Sequence, residues 1–279
     1  MTYQEALRYG QIRLIAAGVL EVESDAWLLM SAVCRIDRNF YYVYGNEEMI
    51  KEQEKEYMAL LEKRAERIPL QYITGEQDFM GLNFKVNPGV LIPRQDTETL
   101  VEEVLKAVTP GMEVLDLCTG SGCIAVSLAK FVPGAKVQGV DISPEALKVS
   151  EENARRNGVN VHFFLSDMFG QVEGKFDMIV SNPPYIPTGE IQGLMPEVKD
   201  FEPHLALDGK EDGLWFYRIL AGEGKKYLKP KGTLMVEIGC DQGKDVSRIF
   251  KDNGYCDIKV IKDLAGLDRV VTGKDERHV

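Results

Sequence analysis

The sequence has few of the residues and runs on which several classes of protein depend. Its five cysteines form no C-x-x-C pair and its three histidines are scattered, which argues against a disulfide framework and against a metal site. No apolar run reaches the roughly 18 residues that cross a bilayer. The first ten residues lack the apolar core of a signal peptide. We therefore expect a reduced, cytoplasmic protein with no metal and no membrane partner.

Basic charge is also in short supply. The 279 residues carry 33 lysines and arginines against 44 acidic residues, a net charge of −11. Such a balance does not favour a protein whose main partner is a nucleic acid, since non-specific binding to a polyanion depends on basic surface. The length exceeds that of one ordinary core, so one large domain or two domains are expected.

The N-terminal quarter is predicted to be helical. Apolar residues recur near the 3.6-residue period from Ala6 to Ile68, with Ser24 as a candidate N-cap, and this pattern indicates about four helices. Between Pro69 and Pro93, glycines and a strictly alternating stretch predict a β-hairpin. We place an N-terminal helical domain at residues 1–73, the hairpin linker at 74–93 and a catalytic domain at 94–279.

The remainder alternates short apolar strands with amphipathic helices, which predicts a parallel sheet covered on both faces. A first helix, capped by Asp96 or Thr97, is expected to run to Val108, and the strands follow from residue 114 onward. Only a short link joins the last two strands, too short for a helical crossover, so the final strand should be antiparallel to its neighbour. The expected fold class is α/β, with seven strands.

Ligands of an open parallel sheet bind at the carboxyl ends of its strands. After the first strand comes a tight turn, and Asp141 ends the second strand 19 residues past Gly122, where an acid can bind ribose hydroxyls. Asp167 and Met168 follow the third strand and are expected to meet an adenine, by polar contact and by packing. The predicted turn consists of Cys118, Thr119, Gly120, Ser121 and Gly122.

A glycine turn followed by an acid is shared by nicotinamide and methyl-donor enzymes, so it leaves both open. The turn does not complete G-x-G-x-x-G, and S-adenosylmethionine has no diphosphate that would need the further glycine. The antiparallel last strand also favours a methyltransferase.

The fourth strand ends in Asn182-Pro183-Pro184-Tyr185, which no hydride transfer requires. Each proline fixes its own φ and restricts the residue before it, so the corner is stiff. The Asn182 side-chain oxygen and a neighbouring backbone carbonyl can each accept a hydrogen from a substrate –NH2 group. The corner therefore indicates methyl transfer to a planar amino group, and Asn182 is expected to face the cofactor as well.

Four further segments, together with the helical N-terminal region, resemble the peptide chain release factor N5-glutamine methyltransferase (PrmC/HemK) family over essentially the whole chain. They are P-L-Q-Y-I-T-G at 69–75, V-L-I-P-R-Q-D-T-E at 90–98, E-P-H-L-A-L-D-G at 202–209 and D-L-A-G-L-D-R at 263–269.

The resemblance implies a Rossmann-like S-adenosylmethionine-dependent fold that methylates the glutamine of the Gly-Gly-Gln loop in class 1 release factors and yields S-adenosylhomocysteine. It implies Asn182, Pro183, Pro184 and Tyr185 as the catalytic residues, and a monomer without direct nucleic-acid contact. The alternative is a nucleic-acid amino-methyltransferase acting on adenine-N6 or guanine-N2. Where the family usually has glycine this chain has Cys118, which we expect to keep a negative φ.

Overall fold

The structure, a computed structural model, describes residues 1–277, and the chain divides into two compact units. One unit comprises Met1–Gly75 with Met195–Phe201, and the other comprises Glu76–Leu194 with the chain from Glu202 onward. Residues 195–201 thus belong to the helical unit, although the boundaries expected from the sequence lie near residues 73 and 93.

The helices in chain order are α1 (Tyr3–Ala16), α2 (Val22–Cys34), α3 (Arg38–Tyr44), α4 (Lys51–Ala65), α5 (Leu70–Thr74), α6 (Gln95–Leu105), α7 (Cys123–Phe131), α8 (Pro144–Asn157), α9 (Pro196–Lys199), α10 (His204–Leu207), α11 (Trp215–Gly224) and α12 (Gly243–Asp252), with a 3-10 helix at Thr188–Gly193. The strands are β1 (Glu76–Phe79), β2 (Leu82–Lys85), β3 (Glu113–Leu117), β4 (Lys136–Asp141), β5 (His162–Leu165), β6 (Phe176–Ser181), β7 (Leu228–Glu237), β8 (Tyr255–Lys262) and β9 (Asp268–Asp275).

The helical unit contains the predicted amphipathic helices around one apolar core. Tyr57 of α4 is fully buried and its hydroxyl donates to the Ala26 carbonyl at 3.2 Å. The predicted cap at Ser24 is wrong, because α2 begins at Val22 and the Ser24 hydroxyl, inside the first turn, donates back to the Glu21 carbonyl at 3.4 Å. The helix therefore starts two residues before that serine.

Ion pairs between charged side chains also hold the segments of the helical unit together. Arg64 of α4 is buried and donates to Asp25 of α2 at 2.7 Å. Glu197 of α9 accepts from Arg64 at 2.9 Å and from Arg67 at 2.6 Å. One carboxylate thus joins the 195–201 segment to the end of α4, and partly buried charged pairs of this kind are costly to break.

The other unit is a seven-stranded sheet in the order β5-β4-β3-β6-β7-β9-β8. Neighbouring strands from β5 to β7 run parallel, and β9 lies between β7 and β8, antiparallel to both. The predicted α/β class and the antiparallel last strand are confirmed. Apolar residues alternate between the faces, and α6, α7 and α8 cover one face while α11 and α12 cover the other.

Two local predictions fail in this region. The stretch Leu70–Thr74 forms α5 instead of a hairpin arm, because Gly75 at φ +80° ends a short helical turn and the strands begin only after it. The hairpin itself is β1–β2, turned by Met80 and Gly81, which both have positive φ. Helix α6 begins at Gln95 after Arg94 and ends at Leu105, so neither predicted cap nor the predicted end is correct.

Candidate active site

The carboxyl ends of β3, β4, β6 and β7 meet at one edge of the sheet, and the predicted corner follows β6 there. Ser181, the last residue of β6, donates to the Leu117 carbonyl of β3 at 2.7 Å. Pro183 and Pro184 are buried. Because the two prolines fix the chain direction beyond a strand end that is itself tied to its neighbour, the corner has a single orientation.

The far side of the corner is held equally closely. Gln242, 8% exposed, donates from Nε2 to the Tyr185 carbonyl at 3.0 Å and to the Gly213 carbonyl at 3.3 Å. A Cβ on Gly213 would lie 2.4 Å from the Tyr185 carbonyl oxygen, and one on Gly209 would lie 2.7 Å from its backbone. These two glycines are thus required for close approach of the backbone to the corner.

The orientation of the Asn182 carboxamide is set by a hydrogen bond. It is half-buried, and its Nδ2 donates to the hydroxyl of Thr97 on α6 at 3.2 Å. The amide nitrogen is engaged by the protein, which leaves the amide oxygen as an acceptor for another group. Thr97 is 2% exposed, and the sequence pattern had identified it only as a possible helix cap.

A second functional candidate that the pattern missed is Glu237, the last residue of β7. It is 1% exposed, and its Oε2 has no hydrogen-bond partner among the described residues. Burial raises its pKa to about 7, although hydrogen bonding by Thr97, attraction to Arg269 and hydrogen bonding by Tyr185 act in the opposite direction. Burial also raises the pKa of the Tyr185 hydroxyl, which stays neutral.

The turn after β3 has the predicted position but not the predicted backbone at its first residue. Cys118 has φ +60°, so the expectation of a negative φ is wrong. The Thr119 amide donates to the Val140 carbonyl of β4 at 2.9 Å and its hydroxyl donates to Asp116 at 2.6 Å. These bonds fix the turn and leave Cys118 in the left-handed region, at a cost of roughly 1–2 kcal/mol for a residue with a Cβ.

The two glycines of the turn differ in what surrounds them. Gly122, at φ +79°, packs so closely on α8 that a Cβ would lie 2.8 Å from the Ser150 Cβ. Gly120, at φ +55°, has no atom within 4 Å of such a Cβ. Ser121 is buried, and its carbonyl accepts from Asn153 at 2.9 Å. The turn is therefore anchored on the helix side and open at Gly120.

Asp141 stands directly beside the open side of this turn. Its Oδ2 accepts from the Gly120 amide and its Oδ1 from the Ser143 amide, both at 2.9 Å. Burial raises its pKa while these amides favour the charged form. Each carboxylate oxygen has a further lone pair, so the group can still accept hydrogen bonds from a ligand.

Asp167 and Met168 follow β5 at the same edge. Asp167 is exposed, whereas Met168 is 9% exposed and has φ +47°. The Ser166 hydroxyl donates to the Met168 carbonyl at 2.8 Å, and the Met168 sulfur lies 3.8 Å from that of Cys118. The thioether thereby lies against the first residue of the glycine turn, and its packing on an adenine stays a prediction.

One further carboxyl underlies the turn. Asp116 of β3 is fully buried, burial raises its pKa to about 7, and its Oδ1 lacks a hydrogen-bond partner within the described part of the chain. An unpartnered buried acceptor next to an open turn suits a ligand that carries N–H donors. In the sequence Asp116 begins the stretch D-x-x-x-G-x-G at residues 116–122, and this spacing is the signal that could have identified it.

Neither a metal centre nor a membrane span is found in residues 1–277. Their histidines, cysteines and acids form no group that could hold a metal ion. No helix in this range is long and apolar enough to cross a membrane.

Both units of the chain are similar to known protein families. Residues 84–196 match the sequence model of the methyltransferase small domain, and residues 5–75 match that of the PrmC N-terminal domain. The release factor glutamine methyltransferase of Geobacter sulfurreducens is 44% identical over 98% of this chain and 96% of its own. That of Moorella thermoacetica is 43% identical over 96% and 97%. A methyltransferase from Pyrococcus furiosus shares the fold, with a TM-score of 0.55 and 22% identity over 71% of this chain and 91% of its own.

Proposed function

Because the chain belongs to the release factor glutamine methyltransferases, we propose that it transfers a methyl group from S-adenosylmethionine to the side-chain N5 of the Gly-Gly-Gln glutamine in class 1 release factors. The observation that supports this most directly is the orientation of Asn182, whose nitrogen is bound by Thr97 at 3.2 Å. Its oxygen is then the atom available to a substrate amide.

An amide nitrogen is a weak nucleophile because its lone pair is delocalised into the carbonyl. To attack a methyl group it must become pyramidal and take up positive charge. The Asn182 oxygen and the Pro183 carbonyl, aimed at its two hydrogens, stabilise that charge as it develops. Tyr185 packs against the amide plane and aligns the nitrogen with the methyl group, and such positioning is the larger contribution. Pro184 keeps these groups in place.

No strong base is needed in this scheme. The methylated nitrogen is positively charged and acidic, so it can lose its proton after transfer. Tyr185 is neutral because burial raises its pKa, and it acts as a wall for the substrate amide.

The residues at the sheet edge fit S-adenosylmethionine, which would supply an electrophilic methyl group. Asp141 has acceptor capacity for ribose hydroxyls, the space above Gly120 is open, and Asp116 has a free buried oxygen. Met168 offers an apolar surface and Asp167 an exposed acceptor. We propose as cofactor-binding residues Cys118, Thr119, Gly120, Ser121, Gly122, Asp141, Asp167, Met168 and Asn182. The Thr119 amide and hydroxyl are already bonded within the turn, so its contribution is to hold that turn.

The helical unit, residues 1–73 in the domain division that we propose, would dock the body of the release factor. It exposes large apolar side chains, among them Ile12, Ile15, Tyr42 and Val43, which are 59–76% exposed. Replacing these four by serine should raise KM for the release factor about tenfold, since apolar contact area is lost, and should leave cofactor affinity unchanged. Leu264→Ser, at a loop residue 98% exposed, is the matched control. An unchanged KM would count against docking through this surface.

We propose further that the protein acts as a cytoplasmic monomer without direct nucleic-acid contact. The cytoplasm is where release factors meet the ribosome, and a net charge of −11 disfavours a polyanionic partner. Size measurement in solution tests the monomer.

One assay tests the function. Labelled S-adenosylmethionine is incubated with the protein and a class 1 release factor, the same factor with the Gly-Gly-Gln glutamine replaced, DNA, or RNA. We expect label only in the intact release factor, and Asn182→Ala should lose at least about 100-fold in kcat, as removal of a charge-stabilising group does. Label in nucleic acid, or in the factor without that glutamine, would overturn the proposal.

A further inference from the structure

Two buried polar residues, Thr97 and Glu237, lie behind the corner near the half-buried Asn182, and the three come from separate elements. Ser181 of β6 pairs with Val236 of β7 in the parallel register, so Asn182 and Glu237 occupy neighbouring positions just beyond. Thr97 reaches the same place from α6, which packs on β7. Thr97 and Glu237 are 2% and 1% exposed. Polar groups buried to this extent are expected to bond to one another.

The donors and acceptors of this group allow only certain arrangements. Asn182 donates from Nδ2 to the Thr97 oxygen at 3.2 Å, so the single hydroxyl hydrogen of Thr97 must point elsewhere. Glu237 ends the strand next to Asn182, Thr97 favours its charged form, and an ionised carboxyl can only accept. A Thr97 hydroxyl hydrogen directed at this carboxylate leaves Thr97 only a lone pair to offer Asn182.

We propose that Glu237 is a positioning residue, which as a carboxylate takes the Thr97 hydroxyl hydrogen and so compels the Asn182 carboxamide to turn its nitrogen inward and its oxygen toward the substrate. This rests on the proposed function, in which the Asn182 oxygen accepts from the substrate amide. The two ends of a carboxamide have nearly the same shape, so packing alone does not select the orientation. The hydrogen-bond network does.

The protonation state of Glu237 depends on the charged and polar groups that face it. Arg269 of β9 and the hydroxyls of Thr97 and Tyr185 favour its carboxylate, whereas Asp96 of α6 and burial oppose it. The resulting pKa is about 7. A protonated Glu237 can donate to Thr97, and the freed hydroxyl hydrogen then favours the flipped carboxamide, with its oxygen turned inward. We therefore expect kcat to fall as the pH drops through about 7, approaching tenfold per pH unit.

The first test compares two substitutions at Thr97. Thr97→Val keeps the shape and removes the acceptor, so kcat with saturating release factor and cofactor should fall about 10- to 100-fold, as small misplacements of reacting groups do. Thr97→Ser restores the hydroxyl and should recover most of that loss. Cofactor affinity, measured by calorimetry, should change much less than kcat, because Asn182 is only one of the proposed cofactor-binding residues. A kcat in Thr97→Val within about twofold of wild type, below the effect of one misplaced group, would overturn the proposal.

The second test is the pH profile of kcat from pH 6 to 8.5. Wild type and Thr97→Ser should show the acidic loss, and Glu237→Gln, which has no proton to gain, should show a flat profile at a lower plateau. An acidic loss with the same midpoint in Glu237→Gln would overturn the proposal and assign the titration to another group, such as Asp116. Asn182→Ala separates the two levels of the argument. If it keeps full activity, the role of the Asn182 oxygen in the proposed function fails, whereas an inactive Asn182→Ala beside an unaffected Thr97→Val contradicts only the role of Glu237.

Discussion

Replacing Glu237 by glutamine should stabilise the protein in a way that depends on pH. The carboxyl has a pKa of about 7 in the folded protein against an ordinary value of 4.5. Between these values the folded state binds the proton more tightly than the unfolded chain, so stability is lost as pH rises through this window. The difference of about 2.5 corresponds to roughly 3 kcal/mol, reached in full above pH 7.

Glutamine has nearly the same shape and does not titrate, so the variant lacks this loss. The gain of Glu237→Gln over wild type should therefore increase by about 2–3 kcal/mol from pH 5 to pH 8. For a chain of this size that is about 5–10 °C in Tm. Thermal unfolding of both proteins at the two pH values measures it. Other titrating carboxyls, Asp116 among them, are present in both proteins and cancel in the difference.

The sign of the result is as informative as its size. If Glu237 were ionised at little cost because Arg269 compensates its burial, the stability difference would be the same at pH 5 and pH 8. If it were mainly a stabilising partner of Arg269, the variant would be less stable at pH 8 than at pH 5 relative to wild type. Either outcome refutes the reasoning that burial dominates the carboxyl.

Three further perturbations follow from contacts at other places in the chain. Asp141→Ala removes the acceptor beside the Gly120 turn and should weaken S-adenosylmethionine binding about 10- to 100-fold by calorimetry, the loss expected for one charge-assisted bond. Gly213→Ala would place a Cβ 2.4 Å from the Tyr185 carbonyl oxygen, so it should lower kcat as well as stability. Its control is Gly266→Ala, at a residue with a similarly positive φ and no atom within 4 Å of the new Cβ. That variant should lower stability only, by about 1 kcal/mol. Glu197→Ala leaves two arginines of the helical unit without a shared partner and should lower its stability by about 2–3 kcal/mol in chemical unfolding.

Each of these expectations has an outcome that contradicts it. Unchanged affinity in Asp141→Ala would remove that residue from the cofactor site. Equal kcat in Gly213→Ala and Gly266→Ala would mean that the corner tolerates displacement. Glu190→Ala, at an exposed residue of the 3-10 helix, is the control for Glu197→Ala, and equal stability of the two variants would show that the ion pairs contribute nothing.

Local sequence pattern was sufficient to predict the sheet and the residues that follow the carboxyl ends of its strands. The alternation of strands and helices is a short-range signal, as are the Ser143-Pro144 start and the Gly158 end of α8, and the structure contains these three features. The short link before Asp268 correctly predicted the antiparallel strand. The family resemblance is confirmed by relatives that match nearly the whole chain. The assignments of the individual site residues stay predictions.

The features that the sequence pattern missed are determined by partners far away in the sequence. Thr97 resembles a helix cap because a threonine before an apolar run usually is one, yet its partner Asn182 lies 85 residues away. Glu237 ends an apolar strand and resembles a solvated acid until α6 and the corner bury it. Cys118 was expected to avoid a positive φ, but the bonds of Thr119 to β4 and to Asp116 decide the conformation of the turn. Tertiary contacts thus override the local preference.

Asp116 and Glu237 share properties that packing cannot explain. Each is fully or nearly fully buried, each has a pKa raised to about 7 by burial, and each has one oxygen without a partner among the described residues. Asp116 precedes the turn that we propose to bind the cofactor, and Glu237 ends the strand beside the corner. The proposed cofactor site and the proposed positioning of Asn182 would each give the buried carboxyl a function that offsets its cost to stability.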